Sequence, residues 1–177
     1  CLSPAGPFLE DGRPGSRKGN RQVSGIFDVR KIIDPDIHTR LTEPERLAIV
    51  ELCYLAIAAD GVLDDAELSA FAHTMAALQG EAGVPEQIKT MVAGLRPAHA
   101  AQPAPDEKAV AERLKVLAGQ IPDQAMRELA YKLVCLLTMV DLETNDPEIA
   151  YDNALCDALQ LSPDRAQALV DAVVDAQ

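Results

Sequence analysis

The chain has 177 residues, enough for one domain with a real core, and its Ala- and Leu-rich composition includes only three Phe, three Tyr and no Trp. Sheets draw on aromatic and β-branched residues, so this balance favours helices packed through small side chains. The formal net charge of −12 repels phosphate backbones, which argues against nucleic acid as a partner and favours cations and basic protein partners.

The charge is unevenly placed. Residues 1–41 hold seven Lys/Arg against five Asp/Glu, whereas residues 42–177 hold nine against 23. Residues 1–25, rich in Gly, Pro, Ser and charge, cannot bury enough apolar surface to offset ordering and predict a flexible N-terminal tail. Residues 26–41, with Ile26, Phe27, Val29, Ile32, Ile33 and Ile37, predict a short segment or helix docked on the domain that follows. The chain begins at Cys1 and not at Met. A trimmed sequence explains this. A lipid-bearing Cys at the start of a mature lipoprotein is the alternative, and only then is membrane association expected. Otherwise the expected location is cytoplasmic, since no apolar run reaches membrane-spanning length without charge.

The first firm helix opens with Thr42-Glu43-Pro44-Glu45, a capping box with Pro in the first turn. It is expected to run to about Ala59 and is apolar nearly all round, which places it in the centre of a domain. Gly61 ends it by admitting a positive φ. A second helix, about Asp64 to Leu78, turns Leu68, Phe71, Ala72, Met75 and Leu78 inward. A third covers 85–95, with Ile88, Met91, Val92 and Leu95 at helical spacing. Arg96 to Pro105, with three prolines and four alanines, predicts a linker. Asp106 to Gly119 is a fourth helix. Residues 123–140 form a second apolar central helix, Asp146 to Leu159 follows, capped by Asn145, and Ser162-Pro163-Asp164 starts the last. The expectation is an all-α fold of about seven helices, residues 42–177, in two pseudo-symmetric halves built on the central apolar helices.

Of the four cysteines, Cys53 and Cys135 fall inside the most apolar runs and read as reduced core thiols. None forms a Cys-x-x-Cys pair, so zinc is not expected. His38, His73 and His99 are scattered, and no nucleophile elbow, phosphate loop or dinucleotide fingerprint is present.

The chemistry concentrates in two acidic corners. Asp60, Asp64 and Glu67 sit between the first two helices, and Asp141, Asn145 and Glu148 recur 81 residues later. Two readings stand. Helix capping accounts for Asp64 with Glu67 and for Asn145 with Glu148. It leaves Asp60 and Asp141, each near a helix C-terminus where a carboxylate meets the negative end of the dipole. Oxygen ligands drawn around one turn also suit a hard cation, Ca²⁺ or Mg²⁺, although the loop is too short for an EF-hand. Asp152, one turn beyond Glu148, is a further oxygen for the second corner. Capping alone leaves a purely structural protein-interaction domain without metal as the alternative function, and a carboxylate-based hydrolase is a third, weaker one.

The stretch AIAADGVLDDAEL from Ala56, with CLLTMVDLETNDPEIAYDNAL from Cys135, resembles the tellurite-resistance TerB-like family over about Thr42 to Gln177. That family is all-α, with two related halves and an Ala-Asp-Gly followed by acidic residues in each. The resemblance implies a non-catalytic module in metal and chemical stress, working through protein partners. It also implies divalent-cation binding at Asp60, Asp64 and Glu67, and at Asp141, Asn145 and Glu148. In the second half Leu142 replaces the Gly and Asn145 replaces an acid.

Overall fold

The computed structural model describes residues 28–100, 106–139 and 146–177, without the side chains of 96, 97 and 146–148. The fold is all-α, and no strand occurs among the described residues. A single 3₁₀ turn, Val29–Lys31, precedes α1 (Ile37–Arg40), α2 (Glu43–Ile57), α3 (Asp65–Leu78), α4 (Glu86–Ala93) and α5 (Leu95–Ala100). Then come α6 (Glu107–Gly119), α7 (Gln124–Thr138), α8 (Asp146–Leu159) and α9 (Pro163–Ala176). The seven expected helices are present, with short α1 and α5 added. α5 takes Leu95, expected as the end of the third helix, and the first part of the stretch expected as a linker. Pro97 falls in its first turn, where a helix needs no backbone N–H, so the proline does not exclude helix there. Residues 1–27 and 101–105 lie outside the described residues.

Helix starts follow the sequence. Thr42 and Glu45 form the capping box of α2, with Thr42 N donating to Glu45 Oε2 at 2.9 Å. Asp106, Asp123 and Ser162 cap α6, α7 and α9 by accepting from the backbone N–H three residues on.

The core lies where α2 packs on α7, with α6 laid across α8 and α2, and α9 closing the other side of α7. Ile49 and Leu52 of α2, Leu133 and Leu137 of α7, Leu155 and Leu159 of α8, and Leu114 of α6 are all fully buried. Each such side chain contributes about 1.5–3 kcal/mol by leaving water. α7 is the more central helix: Met126, Leu129, Ala130 and every residue from Leu133 to Leu137 are buried. α2 was expected to be covered all round, but Leu47 is 57% exposed while Val50 and Leu55 are half-buried. An apolar residue on an exposed helix edge is common, and α2 lies closer to the surface than its composition suggests.

Two bidentate ion pairs clamp helices together. Arg113 of α6 donates to both carboxylate oxygens of Glu51 on α2 at 2.6 Å. Arg165 of α9 does the same to Glu128 on α7, at 2.8 and 2.5 Å. The Tyr54 and Phe71 rings, with centroids 6.2 Å apart, join α2 to α3.

The spacing seen in the corners extends to whole elements. Glu43, Ile57, Asp65 and Leu78 bound α2 and α3, and the bounds of α7 and α8, Gln124, Thr138, Asp146 and Leu159, each follow 81 residues later.

Candidate functional site

The first corner joins α2 to α3. Gly61 adopts φ +83°, as a helix exit through the left-handed region requires. Asp60 Oδ1 accepts from Val62 N at 2.8 Å, which braces the exit. Asp64 Oδ1 then accepts from Glu67 N at 2.7 Å, and Glu67 Oε2 accepts from Asp64 N at 2.9 Å, a complete capping box. Leu63 is buried and pins the turn to the core, while Val62 between the acids is 62% exposed.

All three carboxylates therefore hold their own backbone. Their oxygens are of the right kind for a hard cation. Among the described residues, however, no three His, Cys, Asp or Glu side chains gather as a metal-holding group. In this conformation the corner fits a braced turn better than a cation cage. Asp141 and Asn145, and the side chain of Glu148, lie outside the described residues.

Asp152, a further oxygen for the second corner on the sequence reading, lines a cavity with Tyr131 at the α7–α8 contact, where burial raises its carboxyl and the Tyr131 hydroxyl lowers it. His73 is exposed on α3, its Nδ1 at 2.8 Å from the Ser69 carbonyl oxygen, in keeping with an ordinary surface residue.

Tyr131 and Asp152 border a half-open cavity of about 360 Å³ that sequence reasoning missed. Its walls come from α7 with its C-cap (Tyr131, Val134, Cys135, Thr138, Met139), from α8 (Ile149, Tyr151, Asp152), and from Ala56 and Val170. Cys135 lines the same cavity, and Cys156 follows one turn beyond Asp152 on α8. A signal was present: Tyr131/Cys135 and Asp152/Cys156 are both (i, i+4) pairs, so each pair shares one face of its helix. Cys135 read as core and Asp152 as part of the corner, and nothing in the sequence showed that the two faces meet.

The electrostatics of this cluster follow from burial. Desolvation pushes the Cys135 thiol up to about 12 and raises Cys156, opposed in both by the Tyr131 hydroxyl. Cys53, wholly buried in α2, is likewise pushed up to about 12. Thiols held this high stay protonated at neutral pH and are poor nucleophiles. Burial also raises the Asp152 carboxyl, offset in part by Tyr131. The described cysteines are all free thiols.

Comparison with known proteins finds no matching family model, curated protein or solved structure. Among the described residues no helix is long and apolar enough to cross a membrane.

Proposed function

We propose that the chain is a non-catalytic helical module of the TerB-like, stress-response kind that acts by holding protein partners, with the α2–α3 corner as its contact edge. The observation carrying this reading is the built form of that corner. Asp60, Asp64 and Glu67 spend carboxylate oxygens on the local backbone, so the turn is stiff, and it displays Val62 to solvent between the exposed Asp60 and Asp64. An apolar residue framed by carboxylates on an acidic domain suits a partner that is basic around an apolar contact. The free thiols of Cys53, Cys135 and Cys156 accord with a reducing, cytoplasmic setting. The test is photocrosslinking from the corner in cells, comparing wild type with Val62→Glu and with Asp65→Lys. Loss of a defined, saturable crosslink in both variants, with unchanged melting temperatures, supports the reading. A crosslink pattern that neither change alters defeats it.

A cation at the same corner is the second reading. Asp60 favours it, because it stands outside the capping box, exposed, just beyond the C-terminus of α2. A ligand present at a hundred times its dissociation constant adds about 2.7 kcal/mol of stability. Millimolar Ca²⁺ or Mg²⁺ then raises the melting temperature by several degrees, and Asp60→Asn abolishes the rise while leaving the cap intact. A wild-type melting curve insensitive to both ions leaves the corner as a protein-contact turn alone.

A further inference from the structure

The cavity beside α8 has the makings of a ligand site separate from the acidic corner. Its volume of about 360 Å³ falls at the lower end of the roughly 300–1,000 Å³ typical of small-molecule sites. Its lining divides into two kinds of surface. Val134, Met139, Ile149 and Val170 supply apolar wall. Asp152 is the one charged side chain among the described lining residues, and Tyr131 lines the same cavity. Two other polar groups of the lining are already engaged. The Tyr151 hydroxyl donates to the Leu52 carbonyl at 2.6 Å, and the Thr138 hydroxyl donates to the carbonyls of Val134 and Cys135 at 3.3 and 3.2 Å.

Asp152 is therefore the group to which a ligand would orient. Among the described residues no Lys or Arg forms an ion pair with it. A partly buried carboxylate is stabilised by an entering cation far more than by a neutral group, because the surrounding medium screens it poorly. An entering anion is repelled. The facing wall of methyl, thioether and branched side chains selects for an apolar body attached to that cation. Ile149 lines the cavity and is 50% exposed, which places it at the opening. The thiols do not compete as the functional groups, since both remain protonated at neutral pH.

We propose that the α7–α8 cavity binds a small primary alkylammonium compound, its ammonium on Asp152 and its alkyl body against Val134, Met139 and Ile149. This stands independently of what the acidic corner does. The probe is hexylammonium, titrated into the full chain and followed by backbone amide chemical shifts, with 1-hexanol and hexanoate as isosteric controls. Saturable shifts from hexylammonium, clustered on α7 and α8, are expected. Hexanol should bind at least about tenfold more weakly, as the loss of a charge-assisted hydrogen bond implies, and hexanoate not at all. Asp152→Asn should lower hexylammonium affinity by a similar factor. Ile149→Trp, a change at a half-exposed position that leaves the core intact, should block entry. Equal binding of hexanol, undiminished binding to Asp152→Asn or to Ile149→Trp, or no saturation by hexylammonium at tens of millimolar would each overturn the proposal.

Discussion

The Tyr151 hydroxyl donates to the Leu52 carbonyl at 2.6 Å, a buried bond between α8 and α2 across 99 residues of sequence. Leu52 sits in mid-helix, where its carbonyl also serves the α2 ladder. Tyr151→Phe therefore removes one donor and strands no acceptor. The expected cost is about 0.5–1.5 kcal/mol, the net worth of one hydrogen bond. Urea unfolding of the two proteins checks it, with the slope unchanged. A loss several times larger would mean that the hydroxyl sets the docking of α8, and not merely one bond within it.

The Glu128–Arg165 clamp predicts a pH dependence. The Arg165 guanidinium beside Glu128 holds its carboxyl below the ordinary value of 4.5. A carboxylate whose folded value is lowered contributes stability that is full above its unfolded value and is lost as pH falls through the folded one. Glu128→Gln should therefore melt below wild type at pH 7. The two melting temperatures should converge as the pH falls through the lowered folded value. Asp152 has the opposite sign. Its carboxyl is raised by burial, so the folded state is penalised when that group is ionised. Asp152→Asn should melt at or above wild type at pH 7, and that gap should close on acidification.

The thiols give a third prediction. Cys53 and Cys135 are buried and pushed up to about 12, whereas Cys156 is only half-buried. Mass spectrometry after iodoacetamide at pH 8 should find Cys156 alkylated before either of the others in the native protein, and all three alkylated together in denaturant. Early modification of Cys53 would place local opening at the centre of α2.

Much of the fold was legible because its signals are local. The cap at Thr42, the glycine exit at Gly61 and the inward rows of α3 and α7 all lie within one helical turn of what they specify. The 81-residue spacing was legible too, and the bounds of α7 and α8 keep it from those of α2 and α3. Paired positions need not share an environment, however. Leu68 is buried, while Ile149, 81 residues on, is 50% exposed at the cavity. The cavity itself was hidden for the same reason. Tyr131 and Asp152 belong to different helices, and only the α7–α8 contact brings them together. The expected superposition of 43–78 on 124–160, with Asp60 over Asp141, is checked by crystallography of the full chain, and corners that fail to match would defeat it.

The last prediction contrasts two glycines. Gly61 and Gly80 both adopt positive φ, +83° and +76°. A side chain in this region costs roughly 1–2 kcal/mol from backbone sterics alone. At Gly61 an added Cβ meets nothing within 4 Å, so Gly61→Ala should cost no more than that. At Gly80 the same Cβ would stand 2.7 Å from Nδ1 of His38, whose ring is held against the Pro35 carbonyl oxygen at 3.1 Å. Gly80→Ala must pay the backbone cost and displace the ring that packs α1 against the end of α3. It should be the more destabilising of the two in urea or thermal unfolding. His38→Ala vacates that space, so the double variant His38→Ala/Gly80→Ala should be more stable than the sum of the single losses. Strict additivity would show that the ring swings aside freely and that backbone conformation alone makes Gly80 necessary.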